Sequence, residues 1–242
     1  MMDRRLFVLG ASALVLSGCG GNLIGPPDAG PIYVVRPTFT PAPAGASKVN
    51  WSLAILRPDV PGGLDSDRIA LLQPDGILDY YAKANYPDRL PSSIQTALLD
   101  GFEASGRIDA VAREEEALHA DYNLLVEVKD FAAHYATQDG VPGVTVAFNV
   151  KLTTAHGRKI IAAQSFTQTG NASTNSAAAA TQALQQALGA AVKQVVEWTL
   201  SAAPAVVPGT STDAAAAETA SPGKPAAQLL HDVTRGKKGT PQ

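Results

Sequence analysis

The sequence predicts an α+β fold, a mainly antiparallel sheet with two helices packed on one face. Three observations carry that expectation. Residues 122–169 alternate apolar and polar side chains in long runs broken by glycine turns, the period-two mark of strands that bury one face. Residues 88–105 and 173–200 instead repeat apolar side chains at steps of three and four, the mark of helices that bury one stripe. The order along the chain is strands, helix, strands, helix.

Taken in order, residues 22–31 hold Gly25, Pro26, Pro27 and Gly30 and read as an extended tether. The β-favouring Ile32-Tyr33-Val34-Val35 predicts a first strand over 32–36, and the proline- and alanine-rich stretch 37–47 reads as linker. In 49–57, Val49, Trp51, Leu53 and Ile55 share one face of a second strand, which Pro58, Pro61, Gly62 and Gly63 end. Arg68-Ile69-Ala70-Leu71-Leu72 predicts a third strand. Pro74-Asp75-Gly76 is a turn in which Pro presets φ and Gly accepts φ > 0, and 77–82 returns as the second arm of a hairpin.

The first helix is expected over 88–105. Asp88, or Ser92 or Ser93 if the helix starts later, would cap it, and Pro91 is tolerable only in its first turn. Leu90, Ile94, Ala97, Leu98 and Phe102 make its stripe, and Gly106 ends it. A short strand or connector is expected over 108–112. Leu124, Val126 and Val128 then alternate with polar neighbours, and Phe131 breaks the phase, which predicts a bulge near Asp130. After Asp139-Gly140 and Pro142-Gly143, the side chains of Val144, Val146, Phe148, Val150 and Leu152 fall on one face. Those of Thr145, Asn149, Lys151 and Thr153 fall on the other. His156-Gly157 turns the chain into a return strand over 159–169. The covering helix, 173–200, carries Leu184, Leu188, Ala191, Val192, Val195 and Leu200 on one side, with Ser173 or Asn175 as cap. Residues 201–242 hold almost no large apolar side chains besides Leu229 and Leu230, and read as a disordered low-complexity tail.

The N-terminus reads as a signal. Arg4 and Arg5 form a basic start, residues 6–16 an apolar run too short to span a bilayer, and Ser17-Gly18 a small-residue site before the single cysteine, Cys19. The Leu16-Ser17-Gly18-Cys19 end resembles the bacterial lipobox. That resemblance implies cleavage between Gly18 and Cys19 and acylation of the cysteine. Arg4-Arg5-Leu6-Phe7 also looks like a twin-arginine start, although two basic residues are ordinary in any such region. Domain organisation follows: residues 1–18 signal peptide, 19–31 lipidated N-terminus and tether, 32–200 a single α+β domain, 201–242 tail. A multiply acylated cysteine holds a chain stably on its membrane. Gly20 after the cysteine, by resemblance to the sorting rule of enteric bacteria, favours the outer membrane.

Composition narrows the function classes. Net charge is −3, with 17% charged residues, so nothing suggests a basic nucleic-acid face. There is no Gly-x-Ser-x-Gly, phosphate-cradling glycine loop or His-Glu-x-x-His. Glu116-x-x-His119 has the spacing of a carboxylate metal site. Such sites need two copies on neighbouring helices, and the sequence has one. Neither an enzyme nor a metal or other cofactor is expected beyond the covalent acyl lipid on Cys19.

The domain is similar to the ABC-type transport auxiliary lipoprotein family (PqiC-like). The resembling parts are Tyr33 in an early strand, residues 49–55, Asp67-Arg68-Ile69, Leu78-Asp79-Tyr80, the 90–102 helix, Ala120-Asp121-Tyr122 leading into 124–131, the long hairpin and the closing helix. One position departs: where that family usually has a tryptophan at the start of the first helix, Tyr86-Pro87 stands here. The resemblance implies a periplasm-facing lipoprotein that does no chemistry. It would serve as an accessory subunit of an ABC transporter complex with an MCE-domain partner, in lipid transport or solvent tolerance. The competing expectation is a lipoprotein that itself holds a lipid or glycan in a groove between sheet and helices. The residues singled out for partner contact are Tyr80, Tyr81 and Tyr86, because tyrosine is enriched in interface cores, and Lys151 on the polar face of the meander.

Overall fold

The computed structural model describes residues 30–204 except 117, 118, 138 and 157. The signal sequence, Cys19 and the tail beyond Pro204 lie outside the described residues. The sheet is built on one long strand, β5 (Tyr122–His134). Along one edge β5 pairs antiparallel with β6 (Gly143–Thr154), which pairs antiparallel with β7 (Ile160–Asn171). Its other edge is shared. Near its start it takes β1 (Ser52–Ile55), flanked by β4 (Ala110–Arg113). Near its end it takes β2 (Arg68–Leu72), flanked by β3 (Leu78–Asn85). Between these, Asp59 bridges Glu127, its amide donating to Val126 O at 2.9 Å.

The expected mainly antiparallel sheet is therefore corrected to a mixed one. β1 runs parallel to both β4 and β5, and β2 runs parallel to β5, while β2–β3, β5–β6 and β6–β7 are antiparallel. The reason lies in the connections. Parallel neighbours need a crossover of a dozen or more residues, and the long paths from β1 to β4 and from β2 to β5 supply them, both passing through α1 (Leu90–Ser105). The bulge falls where Phe131 predicts it, as a register shift between Val128 and Asp130.

The expected strand over 32–36 is reduced to a single bridge, Ile32 to Asn85. Pro31 and Pro37 flank it, and neither can donate to a ladder. The presumed linker after it is a fixed arm. Val35 and Pro37 are buried, and Arg36 Nε sits 2.9 Å from Asp100 Oδ2 on α1.

Helix α1 packs on β1 and β4, α2 (Ala177–Ala202) packs on β6 and β7, and the two helices touch. Gly101 permits that approach: a Cβ there would lie 2.5 Å from Val192 Cγ1. α1 starts at Leu90 without the side-chain cap expected from Asp88, Ser92 or Ser93. Tertiary contact replaces it, since the Leu90 amide donates to Ser66 O (3.0 Å) and Pro91 has no amide to satisfy. Gly106 closes the helix in the left-handed conformation at φ 61°. α2 is capped by Ser176, whose Oγ accepts from the Ala179 amide at 3.2 Å, rather than by Ser173 or Asn175. The Asn175 carboxamide is engaged by Tyr135. Between sheet and helices, Val144, Val146, Phe148, Val150 and Leu152 are all buried, as are Leu184, Leu188, Val192 and Val195 opposite them. Thr153, expected outward, is buried, because the β6–β7 register shifts between Leu152 and Thr153.

Candidate contact surfaces

The three tyrosines do not make one surface. In β3, Tyr80 and Tyr81 project to opposite faces, as strand neighbours must. Tyr80 is half-buried. Its hydroxyl donates to Gly63 O at 2.7 Å, and the Arg68 guanidinium carbon stands 3.8 Å from its ring centroid. Tyr81, also half-buried, donates to the Tyr135 hydroxyl (2.8 Å), which donates to Asn175 Oδ1 (2.7 Å). This relay ties β3 to the lead-in of α2. Burial pushes the Tyr81 phenol well above its ordinary range, the Tyr135 hydrogen bond adding to it. Tyr86 is corrected from surface to core: its side chain is 3% exposed, edge-on to Phe131 with centroids 6.4 Å apart. Among the described residues its hydroxyl has no hydrogen-bond partner, and burial raises its pKa strongly.

Lys151 is exposed on the outer face of β6. Around it lie Glu127, whose carboxyl the Lys129 ammonium holds below the usual range, and Ser165, whose Oγ donates to Asn149 Oδ1 at 2.7 Å. The face is polar and exposed. At its far end His134 Nε2 lies 2.9 Å from Asp130 Oδ2. Burial pushes the Asp130 carboxyl up, with His134 pulling the other way. Glu116, His119 and His156 are exposed. Among the described residues no group of three or more His, Cys, Asp and Glu side chains is placed to hold a metal ion. Gly18 and Cys19 lie outside the described residues.

One groove among the described residues was not foreseen. It measures about 860 Å³ and runs between the arm and the outer sides of both helices, with Phe39, Arg107, Gly189, Lys193 and Glu197 among its walls. Gly189 seats the arm, since a Cβ there would lie 3.1 Å from Pro37 Cβ. Arg107 Nη1 and Glu197 Oε2, 2.6 Å apart, neutralise one another at one end. The groove thus lies outside the helices, whereas the space between helices and sheet, where a ligand groove was the competing expectation, is filled by apolar side chains.

The model of a family described as the ABC-type transport auxiliary lipoprotein component matches residues 33–196, from the arm almost to the end of α2. The chain belongs to that family. It is a family of auxiliary transport lipoproteins. A crystal structure of a Xanthomonas campestris protein is similar at 30% identity and a TM-score of 0.64, covering 71% of this chain and 95% of that one. A second solved structure, of an uncharacterised protein, shares the fold at 14% identity and a TM-score of 0.51, covering 67% of this chain and 99% of the other. An uncharacterised protein of Bradyrhizobium diazoefficiens is 28% identical over 168 residues, which is 69% of this chain and 44% of that relative. The chain therefore spans less than half the length of that relative.

Proposed function

We propose that this chain is a lipid-anchored, periplasm-facing accessory subunit of an ABC-type, MCE-associated system for lipid transport or solvent tolerance, acting by protein contact at the outer membrane. The family match over residues 33–196 supports the reading most directly. The lipobox-like Leu16-Ser17-Gly18-Cys19 supports the anchor. An apolar interior filled by side chains, with the open features on the outside, suits a protein that works by its surface.

The full-length lipoprotein, tagged at its C-terminus and captured from detergent-solubilised membranes, should bring with it an ABC permease, an ATPase and an MCE-domain protein. Recovery of the lipoprotein with none of these would sink the proposal. Cys19→Ala should leave an unprocessed precursor or a soluble product. Membrane retention of a product cut before residue 19 would contradict the anchor.

A further inference from the structure

Ile32 and Val34 are the two most exposed large apolar side chains among the described residues, at 65% and 59%. They alternate with Tyr33, which is half-buried, and Val35, which is buried. The arm is therefore apolar on both faces, and the domain covers one of them. An extended run with two apolar faces ordinarily has both covered. The other exposed aliphatic side chains, Ile77, Leu78, Val141 and Ile160, stand at turns or strand ends, where scattered apolar surface is ordinary.

Position separates the arm pair from the rest. The chain is pinned where the arm begins. The Tyr33 amide donates to Asn85 O at 2.7 Å, and the Asn85 amide donates to Pro31 O at 3.4 Å. Gly30 lies so close against β3 that a Cβ there would overlap the Lys83 carbonyl. Cys19 stands eleven positions before Gly30. At no more than about 3.6 Å for each, a lipid on Cys19 is held within about 40 Å of Gly30. Ile32 and Val34 are the first exposed apolar side chains of the described residues after that anchor point.

The surroundings are those of a bilayer interface. Asn85 pairs with Ile32 on one side and with Arg68 on the other. Directly paired residues project to the same face, so Arg68 stands beside Ile32 at two strand spacings, about 10 Å. Arg68 is exposed, with its guanidinium laid over the Tyr80 ring. Asp65 and Asp67, the nearest acids along the chain, lie in the field of Arg89. Lys83, also exposed, stands beside Gly30. Aliphatic side chains flanked by arginine, lysine and tyrosine suit the boundary where acyl chains meet headgroup phosphates.

We propose that Ile32 and Val34 are the seat on which the anchored domain rests against its membrane, the two side chains entering the headgroup–acyl boundary with Arg68 and Lys83 at the phosphates. This rests on the acylation of Cys19 proposed above and adds which surface the anchor brings to the lipid. Two side chains would not hold a free protein on a bilayer. With the acyl chains already inserted, the second contact is intramolecular in effect, and a weak one suffices. The far edge of the sheet, β7, lies five strand spacings from the arm, about 24 Å. Ile160, at the start of β7 and 56% exposed, stays in water.

The test uses the full-length lipoprotein, reconstituted in vesicles of phosphatidylethanolamine and phosphatidylglycerol. Acylation blocks the native thiol, so Ile32→Cys, Val34→Cys and Ile160→Cys each offer a single site for an environment-sensitive fluorophore. At positions 32 and 34 the fluorophore should be shielded from aqueous iodide severalfold more than at 160. It should also be quenched by brominated phospholipid, more by bromines near the headgroup than by bromines near the acyl terminus. Circular dichroism melts of the three variants should match the native protein, because all three side chains are exposed. The proposal is overturned, with the anchor intact, if the protein floats with the vesicles while positions 32 and 34 are as open to iodide as 160. It is equally overturned if 160 is shielded as well as they are. Shielding at 32 and 34 without quenching by brominated lipid would assign the patch to protein contact and overturn it too. Failure to float, with the fluorophore taken up by Cys19 of the native chain, would bring down the anchor and the seat together.

Discussion

The two edges of β5 differ in kind. On one, β6 and β7 continue it as a long meander, paired residue by residue from Tyr122–Thr154 to Gly143–Asn171. On the other, two short pairs abut its ends in parallel, β1 with β4 and β2 with β3, with Asp59 bridging the interval. The meander is held by alternation in β5 and β6, which bury every second side chain over most of their length, and by Phe166 in β7. The abutting pairs are held by what lies over them. Gln95 of α1 is 4% exposed, donates from Nε2 to Ile55 O (2.9 Å), and accepts from Arg113 Nη1 (2.9 Å), so one side chain ties α1, β1 and β4 together. One side of the sheet is secured by long apolar rows, the other by short buried ones, Leu53, Ile55 and Ile69 among them, together with specific polar ties.

Four substitutions separate these modes. Phe148→Ala, in the middle of the meander, should cost about 3–5 kcal/mol in denaturant unfolding, because Phe148 is 1% exposed and its loss leaves a cavity. A cost under about 1 kcal/mol would mean that the row is not core. Gln95→Ala should cost about 1–3 kcal/mol by removing its hydrogen bonds to the Ile55 carbonyl, which keeps only the Glu114 amide at 3.2 Å, and to the Arg113 guanidinium. Hydrogen exchange should accelerate in β1 and β4 and stay unchanged in β6. Equal acceleration in both would mean that Gln95 does not act on β1 and β4 in particular. Tyr86→Phe should raise stability by about 1 kcal/mol, since the buried hydroxyl it removes has no partner. A lower midpoint would show that the oxygen is satisfied after all. Smallest of all, Lys151→Glu on the outer face should leave the melting transition within about 0.5 kcal/mol of native. A larger loss would mean that the meander is inside out.

What the sequence made legible follows the same division. Val144, Val146, Phe148, Val150 and Leu152 announce their buried face by position alone, and Phe131 announces its bulge by breaking phase. The partners of β1 were not legible, because a parallel register is decided by how a crossover returns, and no residue of Ser52–Ile55 encodes it. Pro37, Pro41 and Pro43 declare an extended backbone but not what it lies against, so the arm read as a linker. A signal for it did exist: Gly101 and Gly189 stand inside helices, where glycine is costly unless something approaches closely. Of the contact residues, Tyr86 was misplaced because tyrosine is enriched in interface cores and says nothing of which way it faces, while the Ile32–Asn85 bridge and the Tyr86 amide to Asp67 O carry it inward.

The fork at β5 also orders events in time. Residues 134 and 143 pair across a nine-residue step, whereas Leu53 and Tyr122 are 69 positions apart. Closing the longer loop costs about 2 kcal/mol more in chain entropy. The hairpin can therefore form before β1 has anything to dock on, and β5 becomes the template that captures β1 and β2 late. In reverse, the abutting pairs should be released before the meander opens.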